Sequence, residues 1–402
     1  MAGAAIGVSH LVQATRAGAE YGFALLWVFV LACVSKYPFM EFGPRYAAAT
    51  GNHLIEGYKS LGKLPYYIYV VMTLGTMFII QAVVTIVTAG LAENFFSFGF
   101  SSFFWSAIIL FLCISVLIIG RFSGLDLVMK VIISLLTIST LLAVLAALFS
   151  GSFDAATSQA APNYFNVAGL IFIVAFMGWM PIPLDASVWH SVWSVQKMKE
   201  SGYKPSVKNA FLDFNLGYLS AALIGFLFLT LGALVMFGTG ETFADNSVNF
   251  AAQLVNLYGQ TLGSAFVPLI AFAALITMFS TTLAVTDAYP RVLTILFQNT
   301  KTQTRNETKG VDRTYAVFLF IIPLFSVLLL YFLSAAFTTL IDFATALSFI
   351  LSPVLGWYNY KLVTHKSMPE SARPGKAFRI FAMVSLFILV SLSLLFVGIR
   401  IF

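Results

Sequence analysis

The stretch Met177-Gly178-Trp179-Met180-Pro181-Ile182-Pro183-Leu184-Asp185 interrupts an apolar run and cannot be one continuous helix. Pro181 and Pro183 each lack an N–H and each crowd the carbonyl four residues earlier, so the hydrogen-bond ladder fails around both. In a hydrocarbon solvent, freed backbone groups are tolerated only where protein or a water-filled cavity covers them. Whether lipid is the solvent is decided by composition.

The chain has 402 residues, 60% of them hydrophobic and only 9% charged, against roughly 25% charged in a soluble domain. So few charges cannot cover a water-facing surface, and lipid must be the solvent for most of the chain. A spanning helix needs about 20 mostly apolar residues. Runs of that kind lie near 23–40, 66–91, 102–120, 125–149, 166–190, 211–237, 262–286, 314–334, 337–360 and 377–399, with 1–17 a partial eleventh. The expected fold is therefore an all-α membrane protein of about 11 transmembrane helices, forming one domain over 1–402 with no soluble appendage.

Basic residues give the orientation. Of the 22 Lys and Arg, all but Arg16 and Arg400 fall in alternate loops or at the span ends beside them. The intervening loops, 92–101, 151–165, 238–261 and 335–337, hold none. Positively charged loops stay inside, so the basic loops are expected to be cytoplasmic and the C-terminus outside, in a multi-pass cell (plasma or inner) membrane protein. The same distribution makes a nucleic-acid partner unnecessary as an explanation of the net charge of +6. Cys33 and Cys113 lie inside apolar runs, which argues against a disulfide or metal framework. There is no nucleotide loop, Ser-His-Asp spacing or His-Glu-x-x-His helix, so no enzyme is expected. No cofactor or obligate protein partner is evident either.

A second break lies at the front, in Gly3-Ala-Ala-Ile-Gly7-Val-Ser9-His10. Interruptions in the first and sixth spans fit a LeuT-like 5+5 inverted repeat, 1–150 and 165–361, with 376–400 as an extra terminal helix. Such paired breaks point to a transporter binding site at the midplane. Gly3, Gly7, Gly178, Pro181 and Pro183 are the helix-breaking residues. Ionisable residues within spans are functional candidates by default: His10 at the first break and Asp185 past the second, with Asp213 near the start of the seventh span. Asp287 near Arg291 reads as a structural ion pair, and Lys36, Glu41 and Arg45 as a cytoplasmic salt-bridge cluster. Met180 is a soft sulfur donor, suited to a transition metal, or a packing residue.

The run Gly7-Val-Ser-His10-Leu-Val-Gln-Ala-Thr-Arg16-Ala-Gly18-Ala-Glu20-Tyr21-Gly22-Phe23 resembles the first-span segment of the NRAMP family of divalent-metal transporters. There the family reads Asp-Pro-Gly-Asn and then Gln-Ala-Gly-Ala-Gln-Tyr-Gly-Tyr. Met180-Pro181 resembles the family's Met-Pro, and Phe279-Ser-Thr-Thr-Leu-Ala-Val-Thr286-Asp-Ala-Tyr289 its eighth-span signature. The resemblance implies that Met177 offers a backbone carbonyl to the ion. It also exposes departures: the metal-binding Asp and Asn are Gly7 and His10 here, and the His and Asn after Met-Pro are Ile182 and Pro183. The family also carries a half-helix before its first motif. Only six residues precede Gly7, and an upstream start or a truncated form is expected.

The leading expectation is a secondary transporter, a possible symporter with protons, that moves a divalent metal cation (Mn, Fe or Mg type) by alternating access. Its substrate candidates are Gly7, His10, Met177, Met180 and Asp185, and its proton-coupling candidates His10, Asp185 and Asp213. Two other readings stay open: a carrier of an amino acid or other small organic solute, its carboxylate held by the half-helix after Pro181, and a non-transporting sensor that has lost the metal site.

Overall fold

A computed structural model describes residues 6–119, 122–151, 153, 156, 157, 159–297, 312–333 and 336–401, and of 122–129 the backbone alone. Gly3, one of the expected helix breakers, lies outside the described residues, as do Arg121, Lys301, Arg305 and Lys309 of the basic loops. The chain enters through a buried π-helical turn, Ser9–Ala14, which continues as α1, Thr15–Tyr21. Next come α2, Leu26–Thr50, the short α3, Leu54–Leu61, α4, Lys63–Phe96, α5, Ser102–Ile119, and α6, Phe122–Phe149. The sixth crossing is split into α7, Val167–Trp179, and α8, Ala186–Ser201. Then follow α9, Val207–Val235, α10, Ser247–Leu262, and α11, Val267–Phe297. The last three are α12, Arg313–Leu333, α13, Phe337–Thr364, and α14, Lys376–Ile401.

Nine helices among the described residues are long and apolar enough to cross a membrane. With α1 and the α7–α8 pair they make the eleven crossings expected from hydropathy. Boundaries moved outward in places. The span read as 23–40 runs on to Thr50, so Glu41 and Arg45 stand in helix rather than loop. Two elements had no spanning signature: α3, and α10 in the loop between α9 and α11. Side chains start several helices. Asn166 accepts from Gly169 N at 2.8 Å, Ser206 from Asn209 N at 3.1 Å and Asn246 from Asn249 N at 2.9 Å, each satisfying an orphan donor of the first turn.

Proline alone does not break a helix here. Pro38 and Pro44 lie inside α2, Pro290 inside α11, Pro323 inside α12 and Pro353 inside α13. Neighbouring helices can re-satisfy one freed carbonyl. Two prolines separated by one residue remove alternate donors, and residues 180–185 leave the helix altogether. The first break is seen at Ile6 and Gly7, which are non-helical.

Small residues set the packing around the breaks. A methyl group on Gly178 would overlap the Thr345 carbonyl of α13, and one on Gly18 would overlap the Leu229 carbonyl of α9. Without a hydrophobic drive between helices in lipid, such close backbone approach is the main source of cohesion. The two halves of the broken crossings are thereby fixed against α9 and α13, and the breaks face each other.

Candidate functional site

The two unwound stretches meet around a small cavity of about 40 Å³, walled by Gly7, Val8, Ser9, Trp179, Pro183, Trp189 and Thr281 and closed by aliphatic residues of α4 and α11. Its polar atoms come from backbone and two hydroxyls. Thr281 Oγ1 donates to the carbonyl of Ile6 at 2.7 Å and so ties the first break to α11. Ser9 Oγ lies 3.4 Å from the Pro181 carbonyl and brings one break up to the other, while its proton goes to His10 Nδ1 at 2.8 Å. No Asp, Glu, His, Lys or Arg lines this cavity. Below Trp189 is a narrower space of about 10 Å³, which Asp185 shares with Tyr69, Thr73, Thr76 and Tyr289. Trp189 belongs to both walls, and its ring packs edge-on against Tyr289 with centroids 5.1 Å apart. The Tyr289 hydroxyl is buried beside Thr76 yet makes no hydrogen bond of ordinary geometry.

The sequence candidates separate in space. Gly7 is at the crossing, where an added Cβ would meet the Thr281 side chain, which would have to shift to admit an aspartate. His10 is fully buried with both ring nitrogens engaged: Nε2 lies 2.9 Å from the Ala221 carbonyl and Nδ1 2.8 Å from Ser9 Oγ. A carbonyl only accepts, so Nε2 carries the proton and Nδ1 accepts. Neither nitrogen is left for an ion, and His10 bolts the π turn to α9. Its ring partners are Ser9 and the Ala221 carbonyl, not Asp185. Met180 is turned toward Gly225 of α9, the nearest atom to an added methyl there being its sulfur, and it lines neither cavity. Met177 is buried in α7 and also lines neither. Asp213 is exposed at the start of α9 and lines neither cavity, a placement that favours an interfacial charge over a coupling group. Asp185 is the site candidate that keeps a carboxylate near the break. It stands at the N-terminus of α8, where unpaired N–H groups favour an anion.

One residue had been assigned elsewhere. Lys36, fully buried in the middle of α2, donates from Nζ to the carbonyl of Gly178 at 2.9 Å and of Ile182 at 3.2 Å. It is not part of a cytoplasmic cluster. Glu41 and Arg45 form their own pair at 2.8 Å, and Arg45 also donates to the Ala372 carbonyl at 3.0 Å. The ammonium therefore sits on carbonyls left open where residues 180–185 leave the helix. The signal was present: a lysine inside an apolar span is costly and marks a buried partner. Asp287 is the expected structural anion, accepting from Arg291 Nε at 2.7 Å, Tyr315 at 2.7 Å and Trp193 at 2.9 Å.

At the opposite end of the crossing, Arg16 of α1 donates to Asp342 of α13 at 2.8 Å, and also to Glu20 and Gln13. Its guanidinium lies over the Phe172 ring, 5.0 Å from the centroid. This network ties α1 to α13 on the side of the loops without basic residues.

This arrangement, with two broken helices crossing inside nine continuous ones, can be set against known proteins. The model of the family described as Nramp, natural resistance-associated macrophage protein-like, matches residues 1–398. The chain belongs to the Nramp family. An uncharacterized protein of Pasteurella multocida (strain Pm70) is 33% identical over 402 residues, covering 99% of this chain and 90% of its own length. Among solved structures, the Eremococcus coleocola manganese transporter superposes with a TM-score of 0.74 at 13% identity, over 98% of this chain and 84% of that one. MhsT, solved with L-phenylalanine, superposes with a TM-score of 0.66 at 13% identity over 99% and 96% of the two chains. The fold is thus the Nramp and LeuT-like one, and this Nramp chain is a multi-pass membrane transport protein. Its departure from the family lies at Gly7, His10, Ile182 and Pro183, the positions matching the family's polar motifs. Among the described residues no group of three or more His, Cys, Asp or Glu is clustered as a metal would need.

Proposed function

We propose that the chain is a secondary transporter that carries a divalent metal cation across the membrane by alternating access, the two repeats being 1–150 and 165–361. The observation that carries this reading is the meeting of two broken helices at a buried cavity, with one carboxylate, Asp185, at the end of the second break. Membership of the Nramp family supports a metal as cargo. The donors near Asp185 are oxygen atoms from Tyr69, Thr73, Thr76 and Tyr289, with the thioether of Met72 in the same wall, and the Met180 sulfur is directed elsewhere. A mainly oxygen set with a single carboxylate suits a divalent ion that keeps part of its water, and the neighbouring thioether admits one of the Mn type as well as Mg. Protons are the coupling ion in this reading, with Asp185 as acceptor, and the basic loops face the cytoplasm.

Purified protein in liposomes should take up Mn²⁺ or Mg²⁺, and Asp185→Asn should reduce initial uptake at least tenfold while the protein keeps its elution profile. Uptake of no divalent cation by folded protein would sink the metal reading. Lys36 favours a second one. An ammonium held at the break repels a cation and attracts a carboxylate, as an amino-acid-like solute would provide. Thermal stabilisation by amino acids, with none by Mn²⁺ or Mg²⁺, would select that reading.

A further inference from the structure

A roomier cavity than those at the breaks lies elsewhere. It is an open groove of about 470 Å³ between the C-terminal part of α13 and the N-terminal part of α14, bordered by Tyr360 on one side. The other wall is a single face of α14: Lys376, Arg379, Ile380, Met383, Val384 and Phe387. Steps of three and four residues place these side chains in one stripe along the helix. The stripe changes character along its length. Its first turn carries two cations, and the next two turns are apolar and strongly exposed, Phe387 at 72% and Ile380 at 56%.

Neither Lys376 nor Arg379 has a side-chain hydrogen bond or ion pair among the described residues, and no acidic residue lines the groove. Arg45, Arg291 and Arg373, also on the side of the basic loops, all have carboxylate partners. Two unpaired cations above an apolar trough, at the level where a helix leaves the hydrocarbon, match a ligand with an anionic head and an acyl tail. Basic pockets between transmembrane helices on that side are suited to anionic headgroups.

We infer that this groove is a binding site for an anionic phospholipid, the phosphate lying between Lys376 and Arg379 and one acyl chain lying along Ile380, Met383, Val384 and Phe387. The inference does not depend on the cargo. It assigns α14, the helix outside the two repeats, a lipid-facing role next to α2, α7 and α13, the elements it packs against.

Native mass spectrometry of the detergent-purified full-length protein, titrated separately with dioleoyl phosphatidylglycerol and dioleoyl phosphatidylcholine, tests this. The wild type should retain phosphatidylglycerol at least tenfold more tightly than phosphatidylcholine. The double variant Lys376→Gln/Arg379→Gln should lose that preference, as removing two basic contacts to an anionic headgroup requires, while its far-ultraviolet circular dichroism is unchanged. Equal retention of the two lipids by the wild type would overturn the inference. So would an undiminished preference in the folded double variant. Ile380→Asn/Val384→Asn guards against a purely surface attraction: it should weaken phosphatidylglycerol while leaving both cations in place, and no weakening removes the acyl-chain half of the site. Thermal stabilisation by inorganic phosphate alone, equal to that by phosphatidylglycerol, would also overturn it.

Discussion

An ammonium buried without a carboxylate costs several kcal/mol of lost hydration unless backbone dipoles replace the water. Lys36 recovers part of that through two carbonyls that the sequence Met180-Pro181-Ile182-Pro183 leaves without donors. Side chain and break thus satisfy each other, and Lys36 does locally what a bound monovalent cation would do. At Gly7, by contrast, the room for a side chain is taken by Thr281. A unit charge several ångströms from a divalent ion is worth a few kcal/mol at an effective dielectric near 20. Lys36→Met should therefore tighten Mn²⁺ or Mg²⁺ binding about tenfold or more, read by titration calorimetry. Unchanged affinity would show that the ammonium does not act on the bound ion.

Among the elements, α3 shows how a surface helix is held outside the membrane. Its N-cap is His53, whose Nδ1 accepts from Glu56 N at 3.3 Å. Burial, with help from Lys199 and Lys59, pulls the imidazole from its ordinary value down to about 4. The neutral ring is the form the fold uses, so this contribution is complete above pH 6.5 and is lost as pH falls from 6.5 through 4. The loss amounts to up to about 3 kcal/mol once the pH is below 4. The melting temperature should drop between pH 7 and pH 5, and His53→Asn, which keeps a capping acceptor without the titration, should flatten that drop. An equally steep drop in the variant would place the acid sensitivity elsewhere. Elements of this size were the least legible in the sequence. The long spans and both breaks were readable because about 20 apolar residues or two close prolines leave few alternatives. An eight-residue helix such as α3 has no comparable signature. The site divided along the same line. The place of the breaks follows from backbone chemistry, but the direction of Met180, the engagement of His10 and the reach of Lys36 across to α7 depend on tertiary packing that no local pattern encodes.

For the whole molecule, the network of Arg16, Asp342, Glu20 and Gln13 joins α1 to α13 on the side without basic loops. The proposed alternating access requires that joint to part. Thr345 lies just inside it, its hydroxyl accepting from Gln13 Nε2 at 3.3 Å. In a Thr345→Cys background, Asp342→Asn should raise the rate of modification by a membrane-impermeant thiosulfonate several-fold. An unchanged rate would mean that the network does not control opening. Beyond this joint is Trp189, the indole that walls both cavities. One ring thus stands between the two cavities, as a shared wall. In the proposed cycle the cargo advances only when this partition moves, so its throughput would follow the rate of a conformational cycle and not diffusion down a pore.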